Sequence, residues 1–192
     1  MKKICCILVC FMSFLTTKSM CEHNEYDIVP LLSDRVFFEY FDPEDRQILI
    51  VGSAEFIDKT REALALIRKT DVDMWNMVVK YIGVIALTKK TGVYAWQKPS
   101  VSGIGPTVFQ NVVYSASGFC HEACHSKLFH EYKEKYGEVP DLVWSGREAE
   151  NKCLDVQIEF YKKLNISAVE KRSNIQYLEK MKTVDYFSNY NY

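Results

Sequence analysis

The chain has 192 residues, which is long enough for one domain with a substantial hydrophobic core. Apolar residues make up 48% of it and charged residues 26%, as in an ordinary globular protein. Because the formal net charge is only −1, the composition excludes the strongly basic profile that favours nucleic acid or anionic membranes as partners.

Residues 1–19 have the layout of a secretory signal peptide. A basic start at residues 1–3 is followed by an apolar run over residues 4–15, and small residues just before Met20 favour cleavage there. The apolar run is shorter than the ~20 residues that span a bilayer, so we expect no stable membrane span after the signal is removed. The remaining residues 20–192 are expected to form a single domain.

A cleaved signal peptide predicts an exported protein, in the periplasm or outside the cell. A lipoprotein attached through Cys21 is the alternative, although the residues before it are a poor lead-in for lipidation. Export places the later cysteines in a compartment that permits disulfide bonds, so a bridge or a buried thiol is favoured over a nucleophilic thiolate. These cysteines are Cys21, Cys120, Cys124 and Cys153.

The region after the signal predicts two short strands and a pair of helices. Apolar runs at residues 36–38 and 48–51 predict the strands. Apolar residues recur at helical spacing over residues 54–70 and predict a first helix. Asp71 or Asp73 can cap a second helix directly after it. We expect this helix pair to be scaffold.

The next part of the chain is rich in β-branched and turn-forming residues and predicts a small sheet. Its predicted strands are residues 84–87, 93–96 and 107–114. A turn at residues 89–92 makes the second strand return beside the first. Residues 99–106, rich in Gly, Ser and Pro, are predicted to be a loop. The last strand, directly before the next helix, can bind an extended peptide by edge pairing.

A long helix follows, with Ser115 or Ser117 as its predicted cap. It carries an HExxH sequence formed by His121, Glu122 and His125. Residues four apart lie on one face of a helix, so the two histidines can bind one divalent metal, usually zinc. Glu122 can reach a water at the open coordination position and take its proton as the water attacks a carbonyl.

A catalytic zinc site needs a third protein ligand, with water in the fourth position. His130 lies five residues after His125, so the helix turns it away from the metal face. The extended motif with a further histidine six residues on is excluded as well, because Glu131 occupies that position. The ligand is therefore expected from a later helix, which the sequence predicts to begin near Arg147.

Two acids at the start of that helix, Glu148 and Glu150, are candidates for the third ligand. The residue three positions after the ligand has to be small, because the two ligand helices must approach each other closely. Glu150 has Cys153 at this distance and is the preferred ligand, with Glu148 as its rival. Asp155 lies on another face of the helix and is the third candidate.

These features resemble the gluzincin branch of zinc metallopeptidases, most closely its minimal, small-domain members. The resemblance covers roughly residues 84–164 and rests on HExxH and on a later glutamate followed three positions on by a small residue. It implies a zincin-like α+β fold, with a small β-sheet next to the HExxH helix and further helices on both sides in sequence. It also implies one Zn²⁺ held by His121, His125 and Glu150, and peptide-bond hydrolysis with Glu122 as general acid/base.

The chain departs from this family at one position. Many members have Asp or Asn directly after the small residue, where this chain has Leu154. Asp155 and Asn151 are the candidates to replace that missing outer partner. A phenol or an imidazole can help to stabilise the oxyanion of the reaction. The options close in sequence are Tyr114, Tyr132 and His130.

Cys124 and Cys153 each lie within one helical turn of a proposed ligand. If both ligands bind one ion, the two cysteines can lie close enough for a disulfide bond, which requires Cα atoms within ~7 Å. We therefore hypothesise that a Cys124–Cys153 bridge joins the two ligand helices. Two buried thiols, or a pairing of Cys120 instead, are the alternatives.

The sequence therefore predicts an exported zinc metallopeptidase that acts on a peptide or protein substrate. The alternative is a non-catalytic secreted zinc-binding protein in which the site stabilises the fold. The two differ in their coordination, because catalysis needs an open position within reach of Glu122 and a structural site has four protein ligands. A third interpretation is a secreted interaction module in which HExxH is accidental.

Overall fold

The computed structural model describes residues 37–41 and 47–183. The predicted signal peptide at residues 1–19 and the cysteine at position 21 lie outside this part of the chain. The described residues have an α+β fold with a five-stranded mixed sheet and six helices. None of these helices is long and apolar enough to cross a membrane.

The strands are β1 (Phe37–Tyr40), β2 (Leu49–Gly52), β3 (Val84–Leu87), β4 (Gly92–Tyr94) and β5 (Val101–Ile104). The helices are α1 (Ala54–Thr70), α2 (Val72–Tyr81), α3 (Val112–Tyr136), α4 (Asp141–Ser145), α5 (Arg147–Lys163) and α6 (Ala168–Thr183). α3 carries the HExxH sequence, and α5 carries both acids considered as the third ligand.

The predicted pair of scaffold helices is confirmed as α1 and α2, which meet at Asp71. Its carboxylate accepts hydrogen bonds from the backbone N–H groups of Asp73 and Met74 and so caps α2. The same carboxylate accepts a hydrogen bond from Lys163 Nζ at 2.5 Å. Asp71 therefore ties the start of α2 to the end of α5, the helix that carries the candidate third ligand.

The sheet has the strand order β1-β2-β3-β5-β4. β2, β3 and β5 are parallel to one another, whereas β1 and β4 are antiparallel to their neighbours. The predicted return of residues 93–96 beside β3 is wrong, because β4 pairs with β5 instead. The pairing is decided by residues 101–104, which lie between the two and which the sequence predicted to be a loop.

Close packing explains why β5 looks like a loop in the sequence. At Gly103, a Cβ atom would come within 2.7 Å of the Thr88 side-chain oxygen, so only glycine fits. The two neighbours Ser102 and Ile104 are completely buried. Small residues therefore mark a tightly packed inner strand here, although in an isolated sequence they are typical of a turn.

The prediction of a strand over residues 107–114 is also wrong. Residues 107–111 form turns, and α3 begins at Val112. The side chain of Asn111 accepts a hydrogen bond from the N–H of Tyr114 at 2.9 Å and caps the helix, rather than the serines predicted for this role. Ser115 instead donates to the carbonyl oxygen of Val108 and holds the preceding turn in place.

The main core lies between one face of the sheet and the helices, and α3 runs through its centre. Side chains alternate along β2 and the residue before it, so Ile48 and Ile50 face this core while Leu49 and Val51 belong to a cluster on the other face. α3 packs against α1, α2 and α5. Its buried apolar residues include Ala116, Phe119, Cys120 and Ala123. The helix is thereby fixed in rotation, which decides where its histidines point.

Candidate metal centre

α3 and α5 form the most extensive helix pair of the described residues, and the candidate site lies between them. His121 and His125 are one turn apart on α3, and Glu150 lies in the first turn of α5. The approach of α5 depends on Gly146, the residue between α4 and α5. A Cβ atom there would come within 2.5 Å of the Leu142 carbonyl oxygen, so glycine allows the sharp connection.

The three predicted ligands come together in the structure. The Nε2 atoms of His121 and His125 are 3.0 Å apart. One carboxylate oxygen of Glu150 lies 3.4 Å from His121 Nε2, and the other lies 3.4 Å from His125 Nε2. All candidate ligand atoms of this group are within 4.8 Å of one another.

These distances fit a four-coordinate metal ion. Two ligands bound at 2.0–2.1 Å to a tetrahedral zinc ion are about 3.3 Å apart, which is close to the separations between Glu150 and the two imidazoles. The donor set of two imidazoles and one carboxylate is one that catalytic zinc uses, with the fourth position left to water. The chain therefore presents a three-ligand group that suits zinc.

The orientation of His125 favours metal binding through Nε2. Its Nδ1 contacts the backbone carbonyl oxygen of Trp144, an acceptor that requires Nδ1 to carry the proton. Nε2 is then the atom that can donate a lone pair. No sequence signal reveals this contribution of Trp144, because every residue has a carbonyl oxygen.

Glu150 and His125 form an ion pair, because their mutual attraction outweighs the cost of burying both charges. Burial raises the pKa of Glu150, but hydrogen bonds and charges from His121 and His125 outweigh it and lower that pKa to about 2. Burial lowers the pKa of His125, but Glu150 outweighs it and the pKa rises to about 9. At neutral pH without metal, a proton therefore lies between the imidazole and the carboxylate, where a metal ion can replace it.

This exchange predicts that zinc affinity depends on pH. Because the pKa of His125 is raised to about 9, its proton competes with zinc below that pH and the competition weakens as the pH rises. We expect zinc affinity to increase about tenfold per unit between about pH 6 and about pH 8, with release of the proton. Competition with a chromophoric chelator at several pH values measures this, and a pH-independent affinity would contradict it.

Glu122 lies beside the three ligands without belonging to the ligand group. It is only 8% exposed. Burial raises its pKa, the neighbouring His121 and His125 lower it, and Glu150 raises it, with a net upward shift. A buried carboxylate with a raised pKa holds a proton more readily than an exposed one, which suits a general base.

The other acids weighed as ligands lie away from the group. Glu148 is exposed, although it is only two residues before Glu150. Asp155 is 59% exposed and accepts a 2.6 Å hydrogen bond from Lys182 Nζ on α6. Only Glu150 therefore meets the two histidines.

The three residues considered for oxyanion stabilisation are separated by the structure. His130 Nε2 lies 2.8 Å from the Ser100 hydroxyl oxygen, where the imidazole is engaged with the loop before β5. Tyr132 packs against Tyr136, with ring centroids 4.5 Å apart. Burial raises the pKa of Tyr114, with smaller upward contributions from Tyr177 and Glu122, so this phenol lies within electrostatic reach of Glu122.

Cys120, Cys124 and Cys153 are free, buried thiols in the structure. Cys124 and Cys153 contact each other across the α3–α5 interface, and this hydrogen bond is the main cause that lowers the pKa of Cys124. Burial raises the pKa of Cys153. The Cys124–Cys153 bridge stays a prediction, because the two residues contact each other here as free thiols.

Comparisons with protein-family models, curated proteins and solved structures found no match to this chain. The geometry of the site and the chemistry of its residues therefore carry the functional argument.

Proposed function

We propose that this protein is an exported zinc-dependent peptidase whose site is formed by His121, Glu122, His125 and Glu150. The single observation that carries the proposal is the convergence of two imidazoles and one carboxylate beside a buried glutamate that is not itself a ligand. A buried acid beside the ligands that is not itself a ligand can serve as the general base that hydrolysis requires.

His121, His125 and Glu150 would hold one zinc ion. A zinc ion bound there supplies a Lewis acid that lowers the pKa of a water molecule and polarises the carbonyl group of a substrate. Glu122 accepts the proton of the attacking water and later donates it to the departing amine, so one residue acts as base and then as acid. Its burial beside the imidazoles keeps this proton transfer away from bulk water.

β4 is the strand that we propose to bind the substrate, in place of the strand first expected at residues 107–114. Among the described residues it is an edge strand with β5 as its partner on one side. α3 packs against it, so the edge lies next to the metal-ligand helix. Backbone pairing of an extended peptide along this edge would place a peptide bond near the site without requiring a particular side chain.

Aromatic residues connect this edge to the candidate metal centre. Trp96 follows β4 and is 44% exposed, and its ring lies 5.6 Å from that of Trp144. The carbonyl oxygen of Trp144 in turn contacts His125. The exposed indole therefore borders the surface on which a peptide paired with β4 would lie.

The proposal includes the zincin-like, gluzincin-type interpretation of the fold. It is supported by the element order of the described residues, in which a small mixed sheet precedes the HExxH helix and a later helix brings in Glu150. Leu154 remains the departure from the resembled family. This departure affects the orientation of the metal ligands, whereas the three donor groups themselves are present.

Metal content and hydrolysis, measured together, test the proposed function. We expect the purified chain without residues 1–19 to bind one zinc ion and to cleave members of a mixed peptide library. A chelator should abolish the cleavage, and added zinc should restore it. Absence of zinc from unchelated protein would overturn the proposal, and tightly bound zinc without any hydrolysis would favour the non-catalytic zinc-binding alternative.

A further inference from the structure

One nitrogen at the candidate metal centre has no partner. His121 Nδ1 is buried and makes no hydrogen bond within the described part of the chain. The equivalent atom of His125 contacts the carbonyl oxygen of Trp144. A metal-binding histidine nearly always donates its second ring N–H to an acceptor, which sets the tautomer and the ring orientation. His121 therefore needs an acceptor that its present hydrogen bonds do not provide.

The neighbouring helix holds an acceptor that needs a donor. Asn151 Oδ1 is buried and also lacks a hydrogen-bond partner among the described residues. Asn151 directly follows Glu150, whose carboxylate oxygen lies 3.4 Å from Nε2 of the same His121. The unpartnered donor on His121 and the unpartnered acceptor on Asn151 therefore belong to residues on either side of the His121–Glu150 contact between α3 and α5.

The remaining buried polar atoms without a partner do not fit this role. Those on side chains of the described residues are the hydroxyl oxygens of Thr60 and Ser102 and the indole nitrogen of Trp144. The indole nitrogen is a donor only, like the imidazole N–H that it would have to serve. The hydroxyls lie on α1 and β5, away from the α3–α5 contact.

Two further residues are excluded: Leu154, which occupies the position of the outer partner in the resembled family, and Asp155, which follows it. Leu154 has no polar side-chain atom. Asp155 is 59% exposed and paired with Lys182 on α6. Asn151 as a whole is half-buried, but its Oδ1 is a buried, uncharged acceptor at the start of α5.

We propose that Asn151 is a positioning residue that accepts the Nδ1–H of His121 and fixes this imidazole with Nε2 toward the metal. A rotation of the amide, or one bridging water, would connect the two atoms. The inference rests on the metal-binding part of the proposed function and is independent of hydrolysis. An amide is a neutral acceptor, so it orients the ring without adding a negative charge behind the site.

Replacing Asn151 with Ala should lower zinc affinity about 10- to 100-fold, the range typical for loss of an outer partner of a ligating histidine. Asn151→Asp keeps an acceptor and should retain affinity close to that of the unmodified chain. Lys152→Ala is the matched control, because Lys152 is the next residue on the same helix and is exposed. Chelator competition measures the affinities, and circular dichroism verifies folding.

Ring-nitrogen NMR of His121 provides a second readout that needs neither zinc nor activity. In the unmodified chain we expect slow exchange of the His121 Nδ1–H proton with solvent, and in Asn151→Ala fast exchange. Unchanged zinc affinity and unchanged exchange of this proton in Asn151→Ala would overturn this inference alone. A chain that binds no zinc but still shows the Asn151-dependent protection of the Nδ1–H proton would overturn the proposed function and leave the His121–Asn151 contact supported.

Discussion

Replacing Glu122 with glutamine is expected to lower kcat for peptide hydrolysis by about 10²–10⁴-fold while zinc remains bound, the range by which general acid–base catalysis accelerates reactions. Glutamine keeps the size of the side chain but cannot accept the proton of water. Zinc should remain because Glu122 is not part of the ligand group formed by the two histidines and Glu150. We therefore expect the substitution to affect the reaction and not the binding of zinc.

The measurement combines kcat on a fluorogenic peptide with the zinc content of the same sample. Glu134→Gln is the matched control, since Glu134 lies on the same helix but is exposed, and it should leave kcat unchanged. If Glu122→Gln keeps most of the hydrolysis with zinc bound, another group must be the base. If Glu122→Gln loses zinc at unchanged fold, Glu122 belongs to the ligands and the site is closed.

Replacing Glu150 with alanine is expected to reduce zinc affinity by more than the ~10- to 100-fold expected for an outer partner, because it removes one of three protein ligands. It also removes the carboxylate that lies 3.4 Å from each imidazole. His125 then loses the interaction that raises its pKa, so the proton competition with zinc should weaken at the same time.

Glu148→Ala provides an internal control for this prediction. Glu148 has the same charge and lies two residues earlier on α5, but it is exposed. Its removal should leave zinc affinity and hydrolysis within about twofold, as expected for a surface change away from the ligands. Equal zinc affinity in Glu150→Ala and the unmodified chain, or a loss confined to Glu148→Ala, would exclude Glu150 as the third ligand.

Local periodicity determined the long scaffold helix and the helix that carries the two histidines, but not the short helix α4. The apolar spacing over residues 54–70 predicts α1, and the spacing of His121 and His125 predicts two imidazoles on one helix face. Helical geometry depends on residues three and four positions apart, so a continuous segment carries this information by itself. The cap at Asp71 follows the same rule, because it acts on the next turn of the same chain.

The order of the strands was decided by tertiary structure. β5 is rich in small residues and resembles a loop in sequence, yet its burial and the close contact of Gly103 with Thr88 make it an inner strand. Residues 107–114 carry β-branched residues and resemble a strand, yet Asn111 caps a helix there. Short β-type segments depend on which distant strand they meet, and this partner is not encoded in neighbouring residues.

The candidate site also has features that the sequence predicts and features that only the packing of the helices decides. The sequence predicts the HExxH part of the site, because the spacing of these residues is local. It favours Glu150 as the third ligand because Cys153, three residues later, is small. Glu148 and Glu150 differ by about 200° in direction on a helix, so only the rotation of α5 against α3 decides which carboxylate meets the histidines. The Trp144 carbonyl behind His125 and the unpartnered pair of His121 and Asn151 appear only once the helices are packed.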